Sequence, residues 1–419
     1  MEIAIVGGGI GGLVAALALH EKGFSPRVHE SAPAMRELGV GINLLPHAVR
    51  VLEGLGLLER LLENGIATAE LLYFNKFGQR IWRESRGLEA GYAWPQISIH
   101  RGRLHGLLHD EVQARLGPDA VCHGHHLAAF EAGGSRPLLR FSDRASGKVV
   151  AEEACDIVVG ADGIHSVVRA HFYPEEGPPV WNGAILWRAV SESAPFLTGR
   201  SMFMAGHANQ KFVCYPISRA HLDAGASLTN WVAELRFDPD RPFAREDWNR
   251  KVGREGFLPA FADWRFDWLD IPGLIESAAE IYEYPMVDRD PVARWSFGRV
   301  TLLGDAAHPM YPIGSNGASQ AILDAEALAE ALATGRDPEH ALSAYQEIRL
   351  APTAAIVRAN RNQGPEQVMQ LVEERAPGGF DRLDDVVSQE ELETIAARYK
   401  QIAGFDRRTL DDKAAARRA

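Results

Sequence analysis

Gly298-Arg-Val-Thr-Leu-Leu-Gly-Asp-Ala-Ala-His-Pro-Met-Tyr-Pro-Ile-Gly-Ser-Asn-Gly317 decides the fold class of this 419-residue chain. Its apolar start, Val300 to Leu303, reads as a strand that runs into Gly304-Asp305. A loop with two prolines follows, then a glycine-rich turn and the start of a helix. This layout sets an acidic side chain at the C-terminal end of a strand and converges backbone N–H groups on one spot. The carboxylate suits ribose hydroxyls, and the N–H groups suit a group that carries negative charge. A chain that held only a nicotinamide would have no use for it.

The N-terminus carries a second glycine-rich turn. Ile3 to Val6 is a strand, Gly7-Gly8-Gly9-Ile10-Gly11-Gly12 the turn, and Leu13 to Lys22 an alanine- and leucine-rich helix that Gly23 ends. In the G-x-G-x-x-G pattern, Gly7 permits the tight turn, Gly9 lets a pyrophosphate approach the backbone, and Gly12 lets helix and strand pack closely. Glu30 closes a second strand, Pro26 to Glu30, where a carboxylate would accept hydrogen bonds from ribose hydroxyls. Alone, the glycines describe only a turn. With strand, helix and Glu30 in register, they indicate a bound dinucleotide of unspecified kind.

A third motif, Asp156-Ile-Val-Val-Gly160-Ala-Asp162-Gly163-Ile-His-Ser166-Val-Val-Arg169, reads as strand, tight turn and helix start. Ser166 or Asp162 is suited to cap exposed N–H groups there, so a plain turn-and-cap stands beside any functional role.

Composition bounds the rest. The length suits two large units sharing an interface. A net charge of −12 argues against nucleic acid or an anionic membrane surface as partner. No apolar run is long enough to span a membrane, and Glu2 to Val6 reads as a core strand rather than a signal peptide. Three scattered cysteines without a CxxC indicate neither a disulfide framework nor a zinc site, and a cytoplasmic location is expected.

The organisation reads as α/β with an interruption. A helix pair broken at Gly54 and Gly56 fills 47–64, strands of another kind appear at 71–82, and a helix returns at 101–116. Hairpin-like strands reach 150, and Ile157 to Val159 is a buried strand. Between about 181 and 285, tryptophan, phenylalanine and arginine rise, and strands such as Gln210–Ile217 and Ser227–Leu235 suggest a separate antiparallel sheet. The expected architecture is a Rossmann-like nucleotide-binding domain with an inserted, mostly antiparallel β-sheet domain and a helical C-terminal region. The nucleotide unit takes residues 1–70, 99–178 and 286–340, the second unit 71–98 and 179–285, and the helical region 341–419. The tail from Leu410 to Ala419 is expected to fray.

Taken in order, GGGIGG with Glu30, DIVVGADGIHSVVR, and GRVTLLGDAAHPMYPIGSNGASQAILDAEAL resemble the FAD-dependent aromatic hydroxylases of the p-hydroxybenzoate hydroxylase type. The segments Leu38–Asn43, Ser98–Arg103, Leu186–Arg188 and Tyr284–Asp290 resemble the branch that hydroxylates heteroaromatic acids, phenazine-like ones among them. The resemblance implies FAD as cofactor, NADH or NADPH as a transient co-substrate, O2, and a small aromatic substrate hydroxylated through a C4a-hydroperoxyflavin. It implies that Gly7, Gly9, Gly12 and Glu30, with Gly11, bind the ADP half of FAD. It places Arg101 at the phosphates or flavin edge and Asp162 where FAD and NAD(P)H both approach. Asp305 would hold the ribityl chain, and Pro312 to Gly317, with Gly314 and Asn316, would run along the flavin ring. Gly41 and Ala318 complete that set.

Charge supports the assignment. Reduced flavin gathers negative charge at its N1/C2 carbonyl edge, and a helix starting near Asn316-Gly317 offers partial positive charge and free donors. The chemistry needs a dry site, which Pro309, Tyr311, Pro312, Trp187, Phe212 and Tyr215 suit as walls. On the substrate side, Arg188 at the end of a strand is suited to clamp a carboxylate or phenolate, or else to form an interface salt bridge. Tyr215 and His207 are candidates to touch an aromatic ring or accept a proton, with a structural role the other reading of His207. With Pro312, Arg188 and Tyr215 form the catalytic set. His308 reads as scaffold, and Trp231, Trp264, Trp268 and Trp295 as core. Two rivals remain: an FAD-dependent reductase without oxygen transfer, and a flavin-bearing protein that sequesters a ligand unchanged. Decarboxylation accompanying hydroxylation stays open, as does monomer against homodimer.

Overall fold

The computed structural model describes residues 1–34, 39–238, 250–335 and 337–411. Leu38 and most of the tail expected to fray lie outside them. Five parallel strands form the first sheet, in the order Val300–Leu302, Ile157–Gly160, Ile3–Val6, Arg27–Glu30, Val121–His123. Ile3–Val6 sits at its centre, and all four of its residues are buried, as in a strand covered on both faces. The helix Ile10–Glu21 starts earlier than the sequence suggests. Gly11 and Gly12 fit its first turn because neighbours crowd both positions: a Cβ on Gly11 would lie 2.9 Å from Leu303 Cδ2 and 3.2 Å from Ala321 Cβ. That closeness packs Ile10–Glu21 against the long helix Gly317–Thr334.

A second sheet has eight strands, in the order Lys251–Val252, Ile281–Asp288, Val180–Ser193, Ser227–Arg236, Gln210–Pro216, Ser201–His207, Glu70–Phe74, Arg80–Ser85. All its pairings are antiparallel except Ser201–His207 with Glu70–Phe74. The strand Gln96–His100 joins Gly41–Leu44 and Ile66–Thr68 in a small sheet of its own.

Alternation along the eight-stranded sheet sorts its side chains. Trp187, Phe203, Phe212, Cys214 and Trp231 enter one core on the outer face, where Trp187 stacks on Phe257 with ring centroids 4.6 Å apart. Leu186, Met202, Met204, Val213 and Tyr215 face inward, and Arg188 follows Leu186 on that side. Trp187 and Phe212 therefore do not wall the expected site. Each is one residue from an inward-facing position, and the two-residue period turns it away.

The C-terminal helices Pro338–Arg361, Gln367–Arg375 and Gln389–Ile402 follow. Val368, Met369, Val372 and Leu392 pack against Leu71, Tyr73, Met202 and Met204, so these helices cover part of the inner sheet face. No described helix is long and apolar enough to cross a membrane.

Candidate functional site

The first glycine loop has two crowded positions and one open one. Gly7 has φ +111°, its N–H donates to the His29 carbonyl at 2.8 Å, and a Cβ there would collide with the Ala161 carbonyl. A Cβ on Gly12 would collide with the Gly7 carbonyl, whereas one on Gly9 would meet nothing within 4 Å. Gly7 and Gly12 thus set the turn, and Gly9 presents bare backbone to a ligand. Glu30 is fastened to this loop: its carboxylate accepts from Gly8 N at 2.8 Å and Ala32 N at 2.7 Å.

Asp162 closes the neighbouring turn. Its carboxylate accepts from Ser166 Oγ at 2.5 Å and Val167 N at 2.7 Å, while Ser166 Oγ accepts from Arg169 N at 2.9 Å. Both cap the helix Val167–Phe172, so the capping role is the one its contacts describe.

Asp305 stands at the end of Val300–Leu302, on the turn Gly304–Ala306. Its side chain and that of Arg101 are open to solvent yet ringed by protein, as the walls of a deep cleft are. Protein surroundings push the Asp305 carboxyl above its ordinary value, opposed by His308 and Arg101. The Cβ position of Gly317 lies 4.0 Å from Asp305 Oδ1, so the carboxylate and the start of the helix Gly317–Thr334 border the same space. Asn316 gives that helix no side-chain cap, and its first N–H groups have no intrahelical acceptors. Two successive residues with positive φ, Gly314 (+68°) and Ser315 (+58°), shape the approach. Pro312 is exposed at the lip, and Ala318 is half-buried in the first helical turn.

A buried scaffold holds this loop. Asp324 accepts from Gly304 N at 3.0 Å and Arg349 Nε at 2.7 Å, and pairs with His308 Nε2 at 2.5 Å. Burial alone would raise its carboxyl; the Arg349 guanidinium and the His308 ring beside it overcome that and hold it down at about 2. Arg169 pairs with Glu176 and donates to the carbonyls of Ala306 and Ala307 at 3.1 and 2.8 Å. Tyr399, from the helix Gln389–Ile402, accepts from Asn316 Nδ2 at 2.8 Å. His308 is scaffold, as expected. Asp324, Arg349 and Tyr399 escape a reading of the sequence, because nothing local ties residues so far apart.

Across the cleft, Arg188 donates to the Gly41 carbonyl at 3.1 Å and hydrogen-bonds Tyr215. Gly41 N in turn donates to Asn230 Oδ1 at 2.6 Å, tying the small sheet to the large one. Arg101 begins the helix Arg101–Leu116, with its own N–H on the Val40 carbonyl at 2.8 Å. Its surroundings and the charge of Arg188 lower its guanidinium, and Asp305 opposes them. Two guanidinium groups that repel each other across one cleft call for an anionic occupant. Arg188 Nε and Asn230 Nδ2 are buried without hydrogen-bond partners, which marks unsatisfied donors on the same wall. Bare glycine backbone, a fastened acidic side chain, an uncapped helix start and the Arg101 guanidinium fit FAD, with its ribose hydroxyls, pyrophosphate and anionic ring edge.

The other aromatic and histidine candidates lie elsewhere. His207 is half-buried, 3.9 Å from Glu373 beneath the helix Gln367–Arg375. Trp231, Trp264 and Trp295 are buried core, and Trp268 packs on the outer-face core.

Residues 1–228 and 273–360 match the FAD binding domain family. The chain is 45% identical to the phenazine 1,6-dicarboxylic acid hydroxylase PhzS of Lysobacter antibioticus, over 86% of this chain and 89% of that enzyme. It is 30% identical to 3-hydroxybenzoate 6-hydroxylase of Polaromonas naphthalenivorans, over 87% of each. The fold superposes on Klebsiella pneumoniae HpxO complexed with FAD and uric acid, with a TM-score of 0.71 and 21% identity, covering 96% of this chain and 92% of that one. The chain belongs to the FAD binding domain family and is a flavoprotein monooxygenase of the aromatic hydroxylase type.

Proposed function

We propose that this enzyme hydroxylates a planar aromatic or N-heteroaromatic carboxylic acid, phenazine-like in shape, with NAD(P)H and O2. The balance is one NAD(P)H, one proton, one O2 and the aromatic compound giving NAD(P)+, water and the hydroxylated product. Bound FAD supplies the redox chemistry: it takes electrons from NAD(P)H and activates O2.

The observation that carries the reading is Arg188. Its Nε is an orphaned donor, its other contacts fix the guanidinium on the inner sheet face, and a carboxylate is the matching acceptor. Tyr215 steadies Arg188 and packs in the same apolar cluster as Met202 and Met204. The name of the Lysobacter relative, a dicarboxylic acid hydroxylase, supports the same class.

We read the chain as cytoplasmic, in keeping with free thiols at Cys122, Cys155 and Cys214, and as a monomer or homodimer. The division into nucleotide, substrate and C-terminal regions at 71, 99, 179, 286 and 341 is part of the same reading.

The test is turnover. The purified yellow protein is mixed with NADH or NADPH and a panel of aromatic acids and phenazine carboxylates, following O2 uptake, peroxide and product. A carboxylated aromatic that accelerates oxidation and gains one oxygen is the expected result. Oxidation that no aromatic accelerates points to the reductase, and binding without turnover points to sequestration.

A further inference from the structure

The outer edge of the parallel sheet holds a cluster that the hydroxylase chemistry does not use. Arg27–Glu30 and Val121–His123 pair in register, with His29 opposite Cys122. The chain then doubles back through Gly124, whose φ is +72°. Gly124 N donates to the Ala32 carbonyl at 3.0 Å and His125 N to the Glu30 carbonyl at 2.9 Å. These backbone bonds fix the turn, and His125 Nδ1 meets His29 Nδ1 at 3.1 Å. One ligand atom each from His29, Cys122 and His125 lies within 4.8 Å of the others.

We propose that His29, Cys122 and His125 bind one borderline-soft divalent cation, zinc by the chemistry of the donors, at this sheet edge. A tetrahedral zinc about 2.0–2.1 Å from two nitrogens sets them about 3.3 Å apart, close to the separation already present. Two imidazoles and a thiolate select zinc over magnesium or calcium, which prefer oxygen. Glu153 Oε2 lies 3.6 Å from His29 Nε2, the ring nitrogen turned away from the site and otherwise unpartnered. A carboxylate in that place orients a metal-bound imidazole and raises its basicity. Cys122 loses its thiol proton to solvent as the metal binds, so affinity rises with pH. Because Cys122 and His125 are half-buried, water can take the fourth position. Bound metal would staple the edge strand to Arg27–Glu30, next to the carboxylate of Glu30.

The test uses untagged, FAD-loaded enzyme stripped with a chelator and titrated with Zn2+ against a chromophoric competitor. One equivalent per chain is expected, and Co2+ in its place should give a thiolate charge-transfer band in the difference spectrum. Cys122→Ser should abolish the band and weaken zinc binding roughly tenfold or more, and His125→Ala should weaken zinc binding to a similar degree. FAD content reports that the variants remain folded. No uptake by the wild type, or equal affinity in wild type and Cys122→Ser, overturns the proposal and leaves a plain N–H···N bond between His29 and His125.

Discussion

The phenol of Tyr399 fills the space that any side chain at Gly314 would need. Its hydroxyl accepts from Asn316 Nδ2 at 2.8 Å, and Asn360 Oδ1 and the Ile313 carbonyl, at 2.8 and 3.2 Å, compete for its single proton. A residue near the end of the described chain thus sets the shape of the loop that borders the cofactor cleft.

Gly314→Ala should cost stability and weaken FAD retention together. The alanine must adopt φ +68°, at about 1–2 kcal/mol, and must also displace the Tyr399 ring. Tyr399→Phe should cost about 1–3 kcal/mol, because it leaves buried amide groups unpaired. Thermal melts and the flavin-to-protein absorbance ratio read both effects. Unchanged flavin content in Gly314→Ala would separate the loop from the cofactor.

Asp305→Ala should yield a folded protein that has lost most of its FAD. The carboxylate borders the cleft and holds no structural element in place, so far-UV circular dichroism should stay unchanged while the yellow colour fades on gel filtration.

Arg188→Ala should raise KM for a carboxylate substrate roughly tenfold or more and leave FAD content intact. A hydrogen bond to a charged group is worth about 1.5–3 kcal/mol, and each 1.4 kcal/mol is a factor of about ten. Steady-state kinetics at fixed NAD(P)H make the measurement. Unchanged kinetics would return Arg188 to a purely structural role on Gly41 and Tyr215.

Acid should loosen the scaffold through Asp324. Its folded value, about 2, lies below the ordinary 3.8, so the unfolded chain takes up its proton first as pH falls. The stabilisation, about 2 kcal/mol, is fully present above about pH 4 and is lost as pH falls towards 2. Asp324→Asn should be less stable at neutral pH and show a flatter stability profile across this window, measured by denaturant unfolding.

Much of the fold is legible in the sequence because its signals are local. Gly7, Gly9 and Gly12 stand between a strand and a helix, and Glu30 closes the next strand, so the turn and its ligand follow from short-range sterics. Glycines at Gly54 and Gly56 break the helix pair where expected. The helix at Ile10 begins earlier than its glycines suggest, because glycine lowers helix propensity and only the packing against Leu303 and Ala321 explains its presence there. Trp187 and Phe212 turn away from the site for a related reason: composition shows aromatic residues near a site, but strand register decides which face each one takes.

By itself, the sequence determined the order of the nucleotide motifs, the parallel sheet and the cofactor class, since each depends on residues within a turn of one another. The tertiary structure decided the rest. It set Arg101 against Arg188 across the cleft, buried Asp324 between His308 and Arg349, and brought Tyr399 under Gly314. Those meetings join residues 16 to 87 positions apart, and only packing and sheet register fix which side chains share a space.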